Sequence, residues 1–390
     1  MAQAGQRATE KRKPIALHVA VPTEDESYPV LIGPGLLAKL GYELRRSHQS
    51  ARRVALISDE NVMPVYGPAA RASLEAEDLE VHSFTIPSGE SSKSAEQLLR
   101  LVEGMVAARM SRRDVVVALG GGVVGDLAGL AAALFMRGVA LMQCPTSMLA
   151  QVDSSVGGKV GIDLPAGKNL LGAFHFPTVV LIDPAVLQTL PDRELGCGLA
   201  EMLKHGALFS REHFNQVVAA ADDIYARDAD VLSRMVAASV GLKAACVSRD
   251  PREQGEAGKG RVVLNLGHTV GHALEIMSDL ELKHGEAVGL GMLAAARLSE
   301  RKGLAKTEEG EPGLEQQILS ALETLRLPTQ LDDWLTDERA ERLEAALSSD
   351  KKRSYATISY VVLTRIGEPA VVSLSAAEIV ALLREPKPQG

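Results

Sequence analysis

VVVALGGGVVGDLAG, residues 115–129, decides the fold. A β-branched run ends at Leu119, glycines follow, and an apolar segment with helical spacing begins at once. The pattern predicts a strand, a tight turn and a helix. Gly120, Gly122 and Gly125 fit G-x-G-x-x-G in that setting. Such glycines let backbone approach a pyrophosphate, whose charge the helix N-terminus favours. Glycine-rich turns also serve close packing, so the motif takes its meaning from its surroundings.

HVAVP, YPVLIG, RVALISD, VHSFTIP, ALMQCP and TVVLIDP read as short strands, and AEQLLRLVEGMVAARM reads as a helix among them. Alternation of this kind implies an α/β dinucleotide-binding domain with a mainly parallel sheet, over residues 15–185. Near residue 185 the period changes. Amphipathic helices are expected over 194–208, 228–249, 267–278, 286–302, 314–325 and 338–348, interrupted by one late hairpin, ATISYVVL then AVVSL. Residues 186–390 should thus form a mainly α-helical domain. The glycine turn follows about the fifth strand instead of the first, and no acidic residue ends the next strand. Asp59 and Asn61, after RVALIS, offer ribose contacts instead, as do Glu90 and Lys93 in the turn SGESSK. Polar turns after strands are commonly just turns.

Composition narrows the function classes. A hydrophobic share of 46% and a charged share of 24% are those of an ordinary soluble globular protein. With 42 basic against 50 acidic residues the net charge is −8, which leaves no footprint for nucleic acid. Anions must be held by locally placed cations. Aromatics at 3% argue against base-stacking platforms. Cys144, Cys197 and Cys246 are scattered, so no disulfide framework and a cytoplasmic location are expected. Residues 1–14 are polar and basic, a disordered tail rather than a signal peptide. Asp126, Arg137 and several glycines interrupt the apolar region 115–142 before it reaches the roughly 20 residues of a membrane span.

RVVLNLGHTVGHALE, Arg261 to Glu275, with HGEAV from His284, gathers three of the chain's nine histidines. His268 and His272 are four apart and share one helix face. His284 opens the next apolar-periodic segment. Histidines on converging helix ends commonly hold a divalent metal, although capping and buried histidines use the same positions. Spacing alone favours the pair His268 and His272 as ligands. VDSSVGGK, which carries Asp153 and Lys159, and GKN, with Lys168 and Asn169, read as a glycine-flanked loop presenting cations to an anion. Glu201 and Lys204 lie three apart on one helix, and Lys243 and Asp250 two turns apart on another. Nothing local marks either pair as a site.

Together these motifs resemble the 3-dehydroquinate synthase family of sugar-phosphate cyclases. The similarity runs from about Tyr28 to about Leu383 and includes SYPVLIG, DENV, PSGESSK, ALGGGVVGDLAG, PTSMLAQVDSSVGGK, GKNLLGAFH, TLPDRELGCGLAEMLKHG, RVVLNLGHTVGHALE, HGEAV and DKK. The resemblance implies zinc or cobalt bound by Glu201, His268 and His284, with His272 in a catalytic or substrate-contacting role. It implies NAD at the glycine turn, with Asp59, Asn61, Glu90, Lys93, Gly121, Gly122, Asp126, Thr146, Ser147, Lys159, Lys168 and Thr189 as candidate contacts. Asp153, Lys159, Asn169, Lys204, Lys243, Arg261, Asn265 and Lys352 would surround a sugar phosphate. Arg137 would reach into the neighbouring subunit of a homodimer.

Three features depart from the family pattern. EAGKG lengthens the segment before Arg261, Ser147 stands where a second threonine is commoner, and Arg353-Ser-Tyr-Ala follows Lys352 without the usual glycine turn. The implied activity turns 3-deoxy-D-arabino-heptulosonate 7-phosphate into 3-dehydroquinate and phosphate, in the shikimate pathway to aromatic amino acids. It proceeds by transient oxidation with NAD, phosphate elimination, reduction and intramolecular aldol closure. Three alternatives are a sister cyclase using sedoheptulose 7-phosphate, a metal-dependent alcohol dehydrogenase and a non-catalytic nucleotide binder. Lys243, Arg261 and Asn265 favour a carboxylate substrate over the first. Lys159, Asn169 and Arg261 exceed the anion-binding needs of the second, and the third needs no metal ligands.

Overall fold

The computed structural model describes residues 26–255, 260–279, 281–349 and 357–385. The predicted strand HVAVP, the 1–14 tail, Glu256 to Lys259 and Lys352 lie outside the described residues. Among the described residues eight strands precede residue 185: β1 (Val30–Ile32), β2 (Arg53–Asp59), β3 (Glu80–Ile86), β4 (Val115–Gly120), β5 (Ala140–Pro145), β6 (Lys159–Leu164), β7 (Gly167–Phe174) and β8 (Val179–Ile182). Six of them form one parallel sheet in the order β1-β8-β5-β4-β2-β3.

Every residue of β4 is buried, as a central strand covered on both faces requires. Its side chains alternate between two cores. Val116 and Ala118 pack under α3 (Ala95–Ala107) and α4 (Gly122–Leu134). Val115, Val117 and Leu119 pack under α1 (Leu40–Ser47) and α2 (Met63–Glu75) on the other face. From β2 the sheet grows to β3 on one side and to β4 on the other. The reversal falls between the ends of β2 and β4, at Asp59 and Gly120, the place in open α/β sheets where ligands bind.

The segment carrying Lys159, Lys168 and Asn169 is not a loop. It is an antiparallel hairpin, β6 with β7, pairing Lys159 with Phe174 and Gly161 with Gly172. Its second strand is mostly exposed, so it lacks the hydrophobic alternation that marks a half-buried strand. The helix that follows the glycine turn stops at Leu134. Met136 and Arg137 then take positive φ (50° and 69°) in a tight turn.

The second half is helical: α5 (Asp192–Phe209), α6 (Arg211–Ala219), α7 (Ala221–Tyr225), α8 (Ala229–Arg249), α9 (His268–Met277), α10 (His284–Arg301), α11 (Leu314–Thr324) and α12 (Asp337–Ser349). The late hairpin, β9 (Ile358–Arg365) with β10 (Glu368–Leu374), precedes α13 (Ala376–Arg384). The periodic pattern missed α6, α7 and α13. Helices α5 and α10 are buried without a break from Leu195 to Leu208 and from Gly285 to Ser299. They meet backbone to backbone: a Cβ on Gly285 would lie 2.2 Å from the Cys197 carbonyl oxygen. Helix α9 is drawn onto α10 likewise, since a Cβ on Gly291 would lie 1.8 Å from the Gly267 carbonyl oxygen. One helix among the described residues, α8, is long and apolar enough to cross a membrane. Leu232, Val236, Ser239, Val240, Lys243, Cys246 and Val247 along it are buried in the protein. The three cysteines are free and buried.

Candidate functional site

The glycine contacts fix which side chains meet. Glu201 stands one turn beyond Cys197 on α5, and His284 adjoins Gly285 at the start of α10. His268 opens α9 directly after Gly267, whose φ is +79°. Ligand atoms of Glu201, His268 and His284 all lie within 4.8 Å of one another. Glu201 Oε1 is 3.6 Å from His268 Nε2 and 3.4 Å from His284 Nε2. Glu201 is fully buried, and neither of its oxygens has a partner in hydrogen-bond geometry. Lys204, equally buried one turn on, is in ion-pair contact with Oε2.

The far nitrogens of both imidazoles are held. His268 Nδ1 lies 3.1 Å from the Leu266 carbonyl oxygen, and His284 Nδ1 lies 3.4 Å from Glu275 Oε2. Each contact turns Nε2 toward Glu201. Burial and the nearby Lys204 push the His268 pKa down to about 3, so its ring is neutral at ordinary pH. His284 moves the other way, up to about 9, because Glu201 and Glu275 flank it and outweigh burial. The His272 ring lies edge-on to His268 at 5.2 Å and tilted to His284 at 5.8 Å. The i, i+4 pair therefore does share a face, yet the third group brought to His268 and His284 by Glu201 comes from α5.

A cationic cluster adjoins this triad. Asp153 Oδ1 is 2.7 Å from Lys243 Nζ and 3.3 Å from His205 Nε2. Burial works against its charge, but Lys243 and then Lys204 hold its carboxyl well below the usual range. His205 in turn has Nδ1 2.7 Å from the Ser239 hydroxyl. Arg261 is buried, donating to the Gly157 carbonyl at 2.8 Å and the Pro251 carbonyl at 3.0 Å, while Asp250 accepts its backbone N–H. Asp250 is the C-cap of α8, just past the helix on which it was expected. Asn265 ends the short turn Arg261–Asn265 leading into α9. Lys159 pairs with Glu253, and Lys168 Nζ lies 3.4 Å from Glu275 Oε1.

Lys93, Asp126, Thr146 and Ser147, all singled out for the cofactor, form a second group around the glycine turn, which Lys159 and Lys168 do not join. Gly121 and Gly122 sit at the N-terminus of α4, where the first amide N–H groups lack helical partners. A Cβ on Gly121 would lie 3.3 Å from Ser147 Oγ, so the turn is already closely lined. Thr146 donates its N–H to the Gly120 carbonyl at 2.9 Å. Lys93 is buried with its Nζ 2.8 Å from Asp126, 3.6 Å from Glu90, and in contact with the Asn169 side chain. Burial raises the Asp126 carboxyl to about 6 despite that lysine. Asn169 thus joins the cofactor group through Lys93, from a left-handed φ of 56°. Asp59 Oδ1 accepts the Asn61 and Val62 N–H groups at 2.9 Å, and Thr189 Oγ1 lies 2.8 Å from the Tyr66 hydroxyl. Arg137 is exposed and pairs with no described residue.

Sequence reasoning missed Glu275, His205 and Ser239. A signal existed for the first: Glu275 follows His268 by seven residues, two turns along the same face of α9. His205 sits one turn past Glu201, where a lone histidine beside a lysine carries no pattern.

Comparison with known proteins agrees over most of the chain. Residues 83–197 match the family model for the N-terminal part of 3-dehydroquinate synthase, and residues 198–353 match the C-terminal part. The 3-dehydroquinate synthase of Symbiobacterium thermophilum is 46% identical over 347 residues, 89% of this chain and 94% of that one. That of Caulobacter vibrioides is 43% identical over 356 residues, 90% and 94% of the two chains. Among solved structures, 2-epi-5-epi-valiolone synthase from Streptomyces hygroscopicus subsp. jinggangensis, with NAD+ and Zn2+ bound, superposes with a TM-score of 0.81 at 27% identity, covering 94% and 98%. A 2-deoxy-scyllo-inosose synthase complexed with carbaglucose-6-phosphate, NAD+ and Co2+ gives 0.76 at 25%, covering 92% and 96%. With both family models matched in order and relatives above 40% identity along nearly its whole length, the chain belongs to the 3-dehydroquinate synthase family.

Proposed function

We propose that this enzyme converts 3-deoxy-D-arabino-heptulosonate 7-phosphate into 3-dehydroquinate and phosphate, as a cytoplasmic homodimer holding NAD and a divalent metal. The observation that carries the reading is Glu201: a fully buried carboxylate paired through Oε2 with Lys204, whose Oε1 faces Nε2 of His268 and of His284. Two imidazole nitrogens and one carboxylate suit Zn2+ or Co2+ and leave a position open for substrate. The glycine turn, with free N–H groups at the start of α4, suits the pyrophosphate of NAD. When bound, NAD supplies a reversible hydride acceptor and the metal a Lewis acid for the developing alkoxide.

The chain's own residues bind, orient and move protons. Lys204, Lys243 and Arg261 supply fixed positive charge for the substrate's carboxylate and phosphate, with Lys159, Asn169, Asn265 and Lys352 as further contacts. Asp153 holds Lys243 on the oxygen that also faces His205, so that cation keeps its place before substrate arrives. Preset charges of this kind need no reorganisation during reaction. His272, against both metal-binding rings, is the group to carry a proton at its imidazole nitrogen. Asp59, Asn61, Glu90, Lys93, Asp126, Thr146, Ser147, Lys168 and Thr189 surround NAD. The division between the nucleotide-binding part and the helical part falls near residue 185, after the last strand of the parallel sheet.

A direct assay tests the reading. Purified enzyme with NAD+, Zn2+ and the heptulosonate phosphate should release phosphate in step with 3-dehydroquinate and without net NADH. Sedoheptulose 7-phosphate should turn over far more slowly, because it lacks the carboxylate that the cation cluster is placed to receive. Faster turnover of that sugar, or accumulation of NADH, overturns the assignment.

A further inference from the structure

Glu275 is buried on α9, yet it touches neither the glycine turn nor the Asp153 cluster. One of its oxygens, Oε2, faces His284 Nδ1 at 3.4 Å, and the other, Oε1, faces Lys168 Nζ at 3.4 Å. Its carboxylate is thus partnered on both sides, by a metal-facing imidazole and by the β6–β7 hairpin. The imidazole's opposite nitrogen is the one directed at Glu201. Where a carboxylate accepts from Nδ1, a proton stays there, and a metal ion would take the place of the proton on Nε2, whose direction the ring orientation fixes.

We infer that Glu275 is a positioning residue for the metal: it fixes the tautomer and ring orientation of His284, and Lys168 fixes Glu275. The inference rests on the proposed metal centre. It accounts for a buried carboxylate whose negative charge would otherwise serve nothing in the helical half. Glu275 is no alternative ligand in place of Glu201. His272, Glu275 and His284 also lie within 4.8 Å of one another, but both oxygens of Glu275 already face partners, Oε2 His284 Nδ1 and Oε1 Lys168 Nζ.

Metal affinity, read independently of turnover, tests it. The metal-free full chain is titrated with Co2+ against a chromophoric chelator, and its visible cobalt spectrum is recorded. Glu275→Ala should bind Co2+ roughly 10–100-fold more weakly than wild type. Glu275→Gln, which keeps an acceptor and loses the charge, should fall between them. The cobalt bands should shift in both variants while the metal-free melting curve of Glu275→Gln stays close to wild type. Wild-type affinity and an unshifted spectrum in folded Glu275→Gln overturn the inference. His284→Ala separates this from a failure of the metal centre itself. If that variant binds Co2+ as tightly as wild type, the centre is misassigned. If it does not, but Glu275→Gln does, only the role of Glu275 falls.

Discussion

At the scale of single residues, burial decides what each histidine can do. His213 on α6 is 4% exposed, and neither ring nitrogen has a hydrogen-bond partner. Burial, then the nearby His205, lowers its pKa to about 4. The unfolded chain titrates a histidine near 6.5, so between these values it binds a proton that the fold refuses. Stability from this group is complete above about pH 6.5 and is lost as pH falls toward about 4, at up to roughly 1.4 kcal/mol per pH unit. Chemical denaturation of wild type and His213→Leu across pH 4–7 should therefore give a shallower slope for the variant. Parallel slopes would exclude His213 as the acid-sensitive group. The candidate site histidines were only half legible from spacing. His268 and His272 announced themselves four residues apart, but a shared face says nothing about which distant side chain completes the set. Glu201 became a ligand candidate through the resemblance, and its burial with Oε1 facing both imidazoles is a property of the folded interior alone.

At the scale of elements, the metal-facing geometry depends on helices touching at glycine. The Gly285 contact with Cys197 involves backbone atoms that cannot turn aside, so Gly285→Ala must push α10 away from α5. His284 would then retreat from Glu201. The variant should melt well below wild type and lose most Co2+ affinity. Metal affinity left intact after a clear loss of stability would detach the ligand geometry from this helix contact. Long helices and buried strands were legible because each carries a period, 3.6 or 2, over enough residues to be seen. The β6–β7 hairpin was not, since an exposed, glycine-containing strand shows no such contrast. Short α7, five residues long, offers little more than one turn to read. The hairpin matters most among these, because it carries Lys159, Lys168 and Asn169 toward both groups of the site.

At the scale of the whole molecule, one candidate residue stands apart from the site. Arg137 is exposed on a left-handed turn after α4, away from any described partner. The apolar side chains near it in the chain are also open to solvent, with Leu134 at 55% and Met136 at 43%. The hairpin that packs on α4 adds Leu170 at 57% and Leu171 at 46%. Exposed apolar surface of this kind marks an interaction face, and a second copy of the chain is the occupant proposed here. A two-fold interface would carry Arg137 into the partner's site, where its planar fork can pair with a phosphate. Arg137→Ala and Lys159→Ala should each be nearly inactive, one lacking the donated cation and the other the pocket's own. Mixing and reassembling the two should restore activity. Random exchange makes about half the dimers mixed, each with one intact site of two, so recovery should approach about a quarter of wild type. Sedimentation must first establish a dimer that exchanges subunits. Mixtures that exchange and stay inactive would return Arg137 to its own chain and remove the shared site.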